Sequence, residues 1–135
     1  MMSVSRNGFT LIELLVVITI MMTVMGLVGG LTVDMLDKYK VKSEQKQVFA
    51  ILNALSQRAF VLERTYRVQF ADSMLIGLDE QSNQPVIEQS FESIRFPKQS
   101  ISLNRQGLPS QESLFIRVEG ESKRLSLDGV LRATP

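Results

Sequence analysis

Residues 9–33 read FTLIE followed by LLVVITIMMTVMGLVGGLTV, and the twenty residues from Leu14 to Val33 carry no charge. As a helix this run would be about 30 Å long, the hydrocarbon thickness of a bilayer. A buried core helix is a poor fit, because a chain of 135 residues lacks the layers to surround such a helix on every side. A secretory signal peptide fits poorly too. Its apolar stretch spans about 7–15 residues and ends at a small-x-small site, whereas this run leads straight into Asp34 and Asp37. The spacing predicts a single-pass membrane segment. Gly26, Gly29 and Gly30 interrupt it, each at about 1 kcal/mol of helix propensity. They read either as close packing through a G-x-x-x-G pair, Gly26 and Gly30, or as a soft point in the helix.

Composition removes most catalytic chemistry. There are no cysteines and no histidines, and Lys plus Arg (15) nearly balances Asp plus Glu (14) for a net charge of +1. Disulfides, thiolate sites and imidazole bases are therefore excluded, and no overall polyanion-binding charge is present. Ser43-Glu44-Gln45-Lys46 matches the S-x-x-K of penicillin-binding enzymes, but the S-D-N and K-T-G partners are missing. No catalytic residue, cofactor or metal is expected.

Upstream of the apolar run the chain is short, polar and basic: MMSVSRNG, then Phe9-Thr10-Leu11-Ile12-Glu13. Glu13 is the oddity. A carboxylate costs about 2.5–3.5 kcal/mol at the centre of a membrane helix and less near the interface, so headgroup level is where it is tolerable. Only Arg6 precedes the run while Lys38, Lys40, Lys42 and Lys46 come after it. By basic-residue count alone the C-terminal part would be cytoplasmic.

The stretch R-N-G-F-T-L-I-E-L-L, Arg6 to Leu15, resembles the class III leader of type IV prepilins and pseudopilins. The resemblance implies cleavage between Gly8 and Phe9 by a prepilin peptidase on the cytoplasmic side, and N-methylation of Phe9 by the same enzyme. It also implies that the rest of the chain faces the periplasm, against the lysine count, and the motif takes precedence. Cleavage would leave a protonated amine four residues from Glu13. In a staggered helical filament, Glu13 of one subunit would face that amine of its neighbour. Such a pair sets register more than it adds net stability, but removing one member strands a buried charge. Glu13→Ala is expected to block assembly while leaving cleavage intact.

Beyond Val33, helical periodicity persists without Pro or Gly between Leu31 and Arg64, and Val48, Ile51, Leu52, Leu55, Ala59 and Leu62 form one apolar stripe. Asp34 and Lys38 are a favourable i,i+4 pair. From Thr65 the period becomes two. Strands are predicted at Tyr66–Phe70, Met74–Leu78, Val86–Phe91, Ile94–Phe96, Ile101–Leu103, Leu114–Val118, Arg124–Leu127 and Val130–Arg132, with turns at 79–85, 107–109, 119–121 and 128–129. The expected fold is α+β. One long N-terminal helix, half membrane-spanning and half amphipathic, packs against a small antiparallel sheet, the lollipop plan of pilins. The expected divisions are a cleaved leader (1–8), a transmembrane or filament-core helix (9–33), its amphipathic continuation (34–63) and a β-rich periplasmic head (64–135).

Ser56-Gln57-Arg58-Ala59-Phe60, Tyr66-Arg67-Val68-Gln69-Phe70, the Gly107 turn and Leu125-Ser126-Leu127-Asp128-Gly129-Val130-Leu131 together are similar to the H-type minor pseudopilins of type II secretion and the FimT-type minor pilins. That resemblance implies a structural subunit of a short periplasmic pseudopilus. The alternative is a minor type IV pilin in pilus biogenesis or DNA uptake. The implied partners are prepilin peptidase, other pilins or pseudopilins, the inner membrane and its assembly platform. Nucleic acid is not an expected partner: Lys98, Arg105, Arg117, Lys123, Arg124 and Arg132 are offset by Glu112, Glu119, Glu121 and Asp128. Asp79 and Glu80 fall short of the oxygen ligands calcium needs and read as turn residues.

Overall fold

The computed structural model describes residues 8–128, with backbone only for Leu31. The expected strand at Val130–Arg132, the second residue of the 128–129 turn and most of the leader lie outside the described residues. One helix, α1 (Leu11–Leu62), is followed by β1 (Tyr66–Asp72), β2 (Met74–Asp79), β3 (Pro85–Ser90), β4 (Phe96–Leu103), β5 (Ser113–Val118) and β6 (Glu121–Ser126). This is the expected α+β class. The chain divides into two compact units after Lys38.

In the second unit, the C-terminal part of α1 contributes Val48, Leu52, Leu55 and Ala59 to one buried core with β1, β2, β4 and β5. Ser56 is buried with them, while Leu62, expected on the stripe, is 49% exposed. The helix ends there. Glu63 adopts φ 51°, and Arg64 N–H bonds back to Ala59 O at 3.1 Å, a left-handed C-terminal cap that turns the chain away before Leu62 reaches the core. The Asp34–Lys38 pair is not closed among the described residues, as expected where exposed side chains gain little from pairing.

The β structure is two antiparallel sheets rather than one: β3-β2-β1-β4, and a β5–β6 hairpin. In β1, Tyr66, Val68 and Phe70 face the core while Arg67 and Gln69 face out, the period of two read from the sequence. β4 merges two segments expected to be separate. Phe70 pairs with Gln99 but Asp72 with Phe96, so β4 carries one extra residue around Pro97-Lys98. A bulge on an edge strand is where a proline without an N–H is tolerated. Phe96 packs against Phe70 and Phe91 at 5.0 and 5.5 Å between ring centres.

The two sheets are joined by one backbone bridge, Arg95 with Arg117, and by a side chain. The Gln99 amide donates to Phe115 O at 2.5 Å and accepts from Phe115 N–H at 3.2 Å, as a peptide group of a paired strand would. The hairpin closes through Glu119 and Gly120, both at positive φ (51° and 83°), the backbone that a two-residue I′ turn requires.

Two contacts pin loops onto α1. The Glu44 carboxylate accepts N–H bonds from Glu92, Ser93 and Ile94 at 2.9–3.1 Å. The loop after β4 meets the helix at Ser56, whose Oγ donates to Gly107 O at 2.6 Å in a buried bond. Gly107 sits at φ 79°, and a Cβ there would lie 2.7 Å from both Ser56 O and Ser56 Oγ. Only glycine fits that approach.

Candidate functional site

The first described residues hold the predicted processing site. Gly8, Phe9 and Thr10 precede the helix and are exposed. Among the described residues no atom lies within 4 Å of a Cβ placed on Gly8, and Phe9 is 84% exposed.

Thr10 is the N-cap. Its Oγ1 accepts the Glu13 N–H at 3.3 Å, and its own N–H donates to Glu13 Oε2 at 3.2 Å, while Thr10 O accepts the first helical bond from Leu14 N–H at 3.1 Å. This is a capping box, in which two otherwise unpaired donors are satisfied reciprocally. It also puts a carboxylate where the helix dipole is positive. Sequence reasoning assigned Thr10 no role, although T-x-x-E before an apolar run is the signature of such a cap. Phe9 lies one residue outside the cap, so its amine, once freed, would not be drawn into the helix.

Among the described residues nothing covers the apolar run beyond Glu13. Its most hydrophobic window has mean hydropathy 2.5 and is 0% buried. By length and composition it is a candidate membrane span. Its threonines are internally satisfied: Thr19 donates to Leu15 O at 2.7 Å, Thr23 to Thr19 O at 2.8 Å and Thr32 to Val28 O at 2.5 Å. Gly26, Gly29 and Gly30 have no neighbouring atom within 4 Å of a Cβ position, so none is held by packing among the described residues.

Other candidates resolve into structural roles. Asp79 ends β2 nearly buried, accepting from Gln81 N–H at 2.9 Å and Arg64 Nη1 at 2.8 Å. The Gln81 N–H holds its carboxyl below the ordinary value; partial burial opposes this and Arg64 adds to it. Glu80 pairs with Arg67 at 2.5 Å. Both carboxylates are thus engaged by arginines, Asp79 as the last residue of β2 rather than as a turn residue. Glu44, within the discounted S-x-x-K match, is the anchor of the 92–94 loop. Lys98, Arg105, Arg117, Lys123 and Arg124 are all exposed.

Residues 4–29 match the family model of the prokaryotic N-terminal methylation motif. Comparison with curated proteins and with solved structures gives no significant match. The motif indicates a structural subunit processed by a prepilin peptidase and assembled with other pilins, and the apolar helix it begins fits anchoring in the inner membrane. The methylation motif, set on a capped apolar helix that leads to an antiparallel β head, supports a type IV pilin-like filament protein.

Proposed function

We propose that this chain is a minor pseudopilin of a type II secretion system, a structural subunit of the short periplasmic filament that helps drive protein export across the outer membrane. The observation that carries the reading is the methylation motif over residues 4–29 running into a helix whose apolar window is 0% buried among the described residues. Such a surface needs lipid first and neighbouring helices later. Prepilin peptidase cuts between Gly8 and Phe9 and methylates Phe9. The head then lies in the periplasm, and Glu13 meets the Phe9 amine of the adjoining subunit. The capping box uses Glu13 Oε2, leaving Oε1 to accept that amine.

The test is mass spectrometry of the protein isolated from its native membrane after crosslinking. The expected chain begins at N-methylated Phe9 and is crosslinked to pseudopilins and secretion-platform proteins. Crosslinks to pilins and a retraction motor would make it a minor pilin instead. An intact Met1 with no pilin-like partner would overturn the reading.

A further inference from the structure

The β5–β6 hairpin has two unlike faces. Leu114, Ile116 and Val118 point into the core, while Phe115 and Arg117 point out. Register places Arg124 directly opposite Phe115 and Ser122 opposite Arg117. The outer face therefore carries two guanidinium groups beside an aromatic ring that is 49% exposed. Neither Arg117 nor Arg124 forms an ion pair among the described residues.

A third arginine adds to this face at its margin. Arg95 stands opposite Arg117 across the backbone bridge, the two exchanging N–H···O bonds of 2.9 and 2.7 Å. Like charges directly opposite on paired strands destabilise the pairing. Arg95 turns aside to Phe91 O at 3.0 Å and to Asp72 at 3.7 Å, and among the described residues no such relief reaches Arg117. A concentration of positive charge that costs the isolated fold is a mark of a surface completed by something else.

We propose that this face docks a carboxylate-bearing loop of a partner protein chain. The arginine fork matches a carboxylate bidentately, and an exposed aromatic beside it supplies an apolar anchor. The acids around the patch favour a compact partner over a long polyanion. Glu112 lies just before β5, and Glu119 and Glu121 flank the hairpin tip. The cationic stretch from Phe115 to Arg117 covers only about 7 Å of strand. A nucleic-acid backbone laid along it would run onto carboxylates at either end, whereas a single acidic loop fits between them.

The test uses full-length protein in detergent and a fluorescein-labelled acidic peptide with carboxylates on both sides of one leucine, read by anisotropy. Binding is expected to weaken with salt and to fall about tenfold or more in Arg117→Ala with Arg124→Ala. Phe115→Ser is expected to weaken it severalfold. Lys123 neighbours Arg124 in sequence but pairs with the inward residue Ile116, so Lys123→Ala is expected to leave binding unchanged. Near-UV circular dichroism of buried Tyr66 verifies folding of each variant. The proposal is overturned by absence of peptide binding, by an equal loss in Lys123→Ala, or by an oligonucleotide that binds more tightly and displaces the peptide. None of these readouts depends on leader processing, so this proposal and the filament reading fail separately.

Discussion

Replacing Glu13 with glutamine separates the capping role of its carboxylate from the intersubunit role proposed for it. Within the chain, Glu13 accepts the Thr10 N–H at 3.2 Å, and glutamine at this cap position also completes a capping box. The intramolecular loss is then limited to the charge–dipole contribution, about 0.3–1 kcal/mol. Between subunits of the proposed filament, the same change would remove the partner of a neighbour's amine in a low-dielectric core, at a cost of about 3–5 kcal/mol. At 1.4 kcal/mol per factor of ten, that is roughly a hundredfold to a few-thousandfold loss of subunit association. Glu13→Gln is therefore expected to be cleaved normally, to keep its helix start, and to be nearly absent from filaments. Thr10→Ala gives the converse. It retains the charge and loses the Oγ1 acceptor, at about 1 kcal/mol, and is expected to assemble with a modest defect. The assay is N-terminal mass spectrometry for processing, paired with the fraction of protein crosslinked into filaments. Normal filament incorporation of Glu13→Gln would refute the charge argument. Equal assembly defects in the two variants would show that the cap, and not the intersubunit pair, is what matters.

Three further outcomes concern the head. Gly107→Ala is expected to destabilise it by about 2–5 kcal/mol, from left-handed backbone strain plus loss of the buried Ser56 bond. Urea unfolding monitored by the near-UV signal of Tyr66 measures this, and a change below about 1 kcal/mol would contradict the close approach seen at Ser56. Glu44→Ala leaves the amides of Glu92, Ser93 and Ile94 without their acceptor, so their hydrogen exchange is expected to accelerate while amides of β1 and β2 stay protected. Asp79 has a depressed carboxyl pKa when folded. Its contribution to stability is complete above the ordinary aspartate value of about 3.9 and is lost as pH falls through the depressed value. Asp79→Asn is expected to flatten the fall of the urea midpoint below about pH 4, and an unchanged acid limb would refute the assignment.

Local periodicity made much of this fold legible. The alternation from Tyr66 to Phe70 placed β1 and its buried face, and the stripe from Val48 to Ala59 placed the helix side that joins the core. What escaped reading depends on partners distant in sequence or on backbone groups. Nothing in Glu44 announces that three amides of residues 92–94 converge on it, since main-chain donors leave no residue signature. The separate strands expected around Pro97 merge because a bulge supplies the place where a missing N–H is harmless. Thr10 was legible as a cap, but the membrane motif around it offered another explanation for Glu13. Arg117 and Arg124 were counted against nearby glutamates as one sum. Register alone reveals that the signs are segregated, with arginines on the outer face and acids at its ends.

The threonines of the apolar run bond back to their own helix, so among the described residues from Leu14 to Val33 no hydroxyl is left seeking a partner. One such helix sliding along another meets an almost level energy profile, with only dispersion and shape to distinguish one offset from the next. In the proposed filament, docking would then be a one-dimensional search with a single electrostatic stop at the Glu13 end. Fast trial and a definite final position would then come from the same sequence, with the discriminating charge confined to the first helical turn.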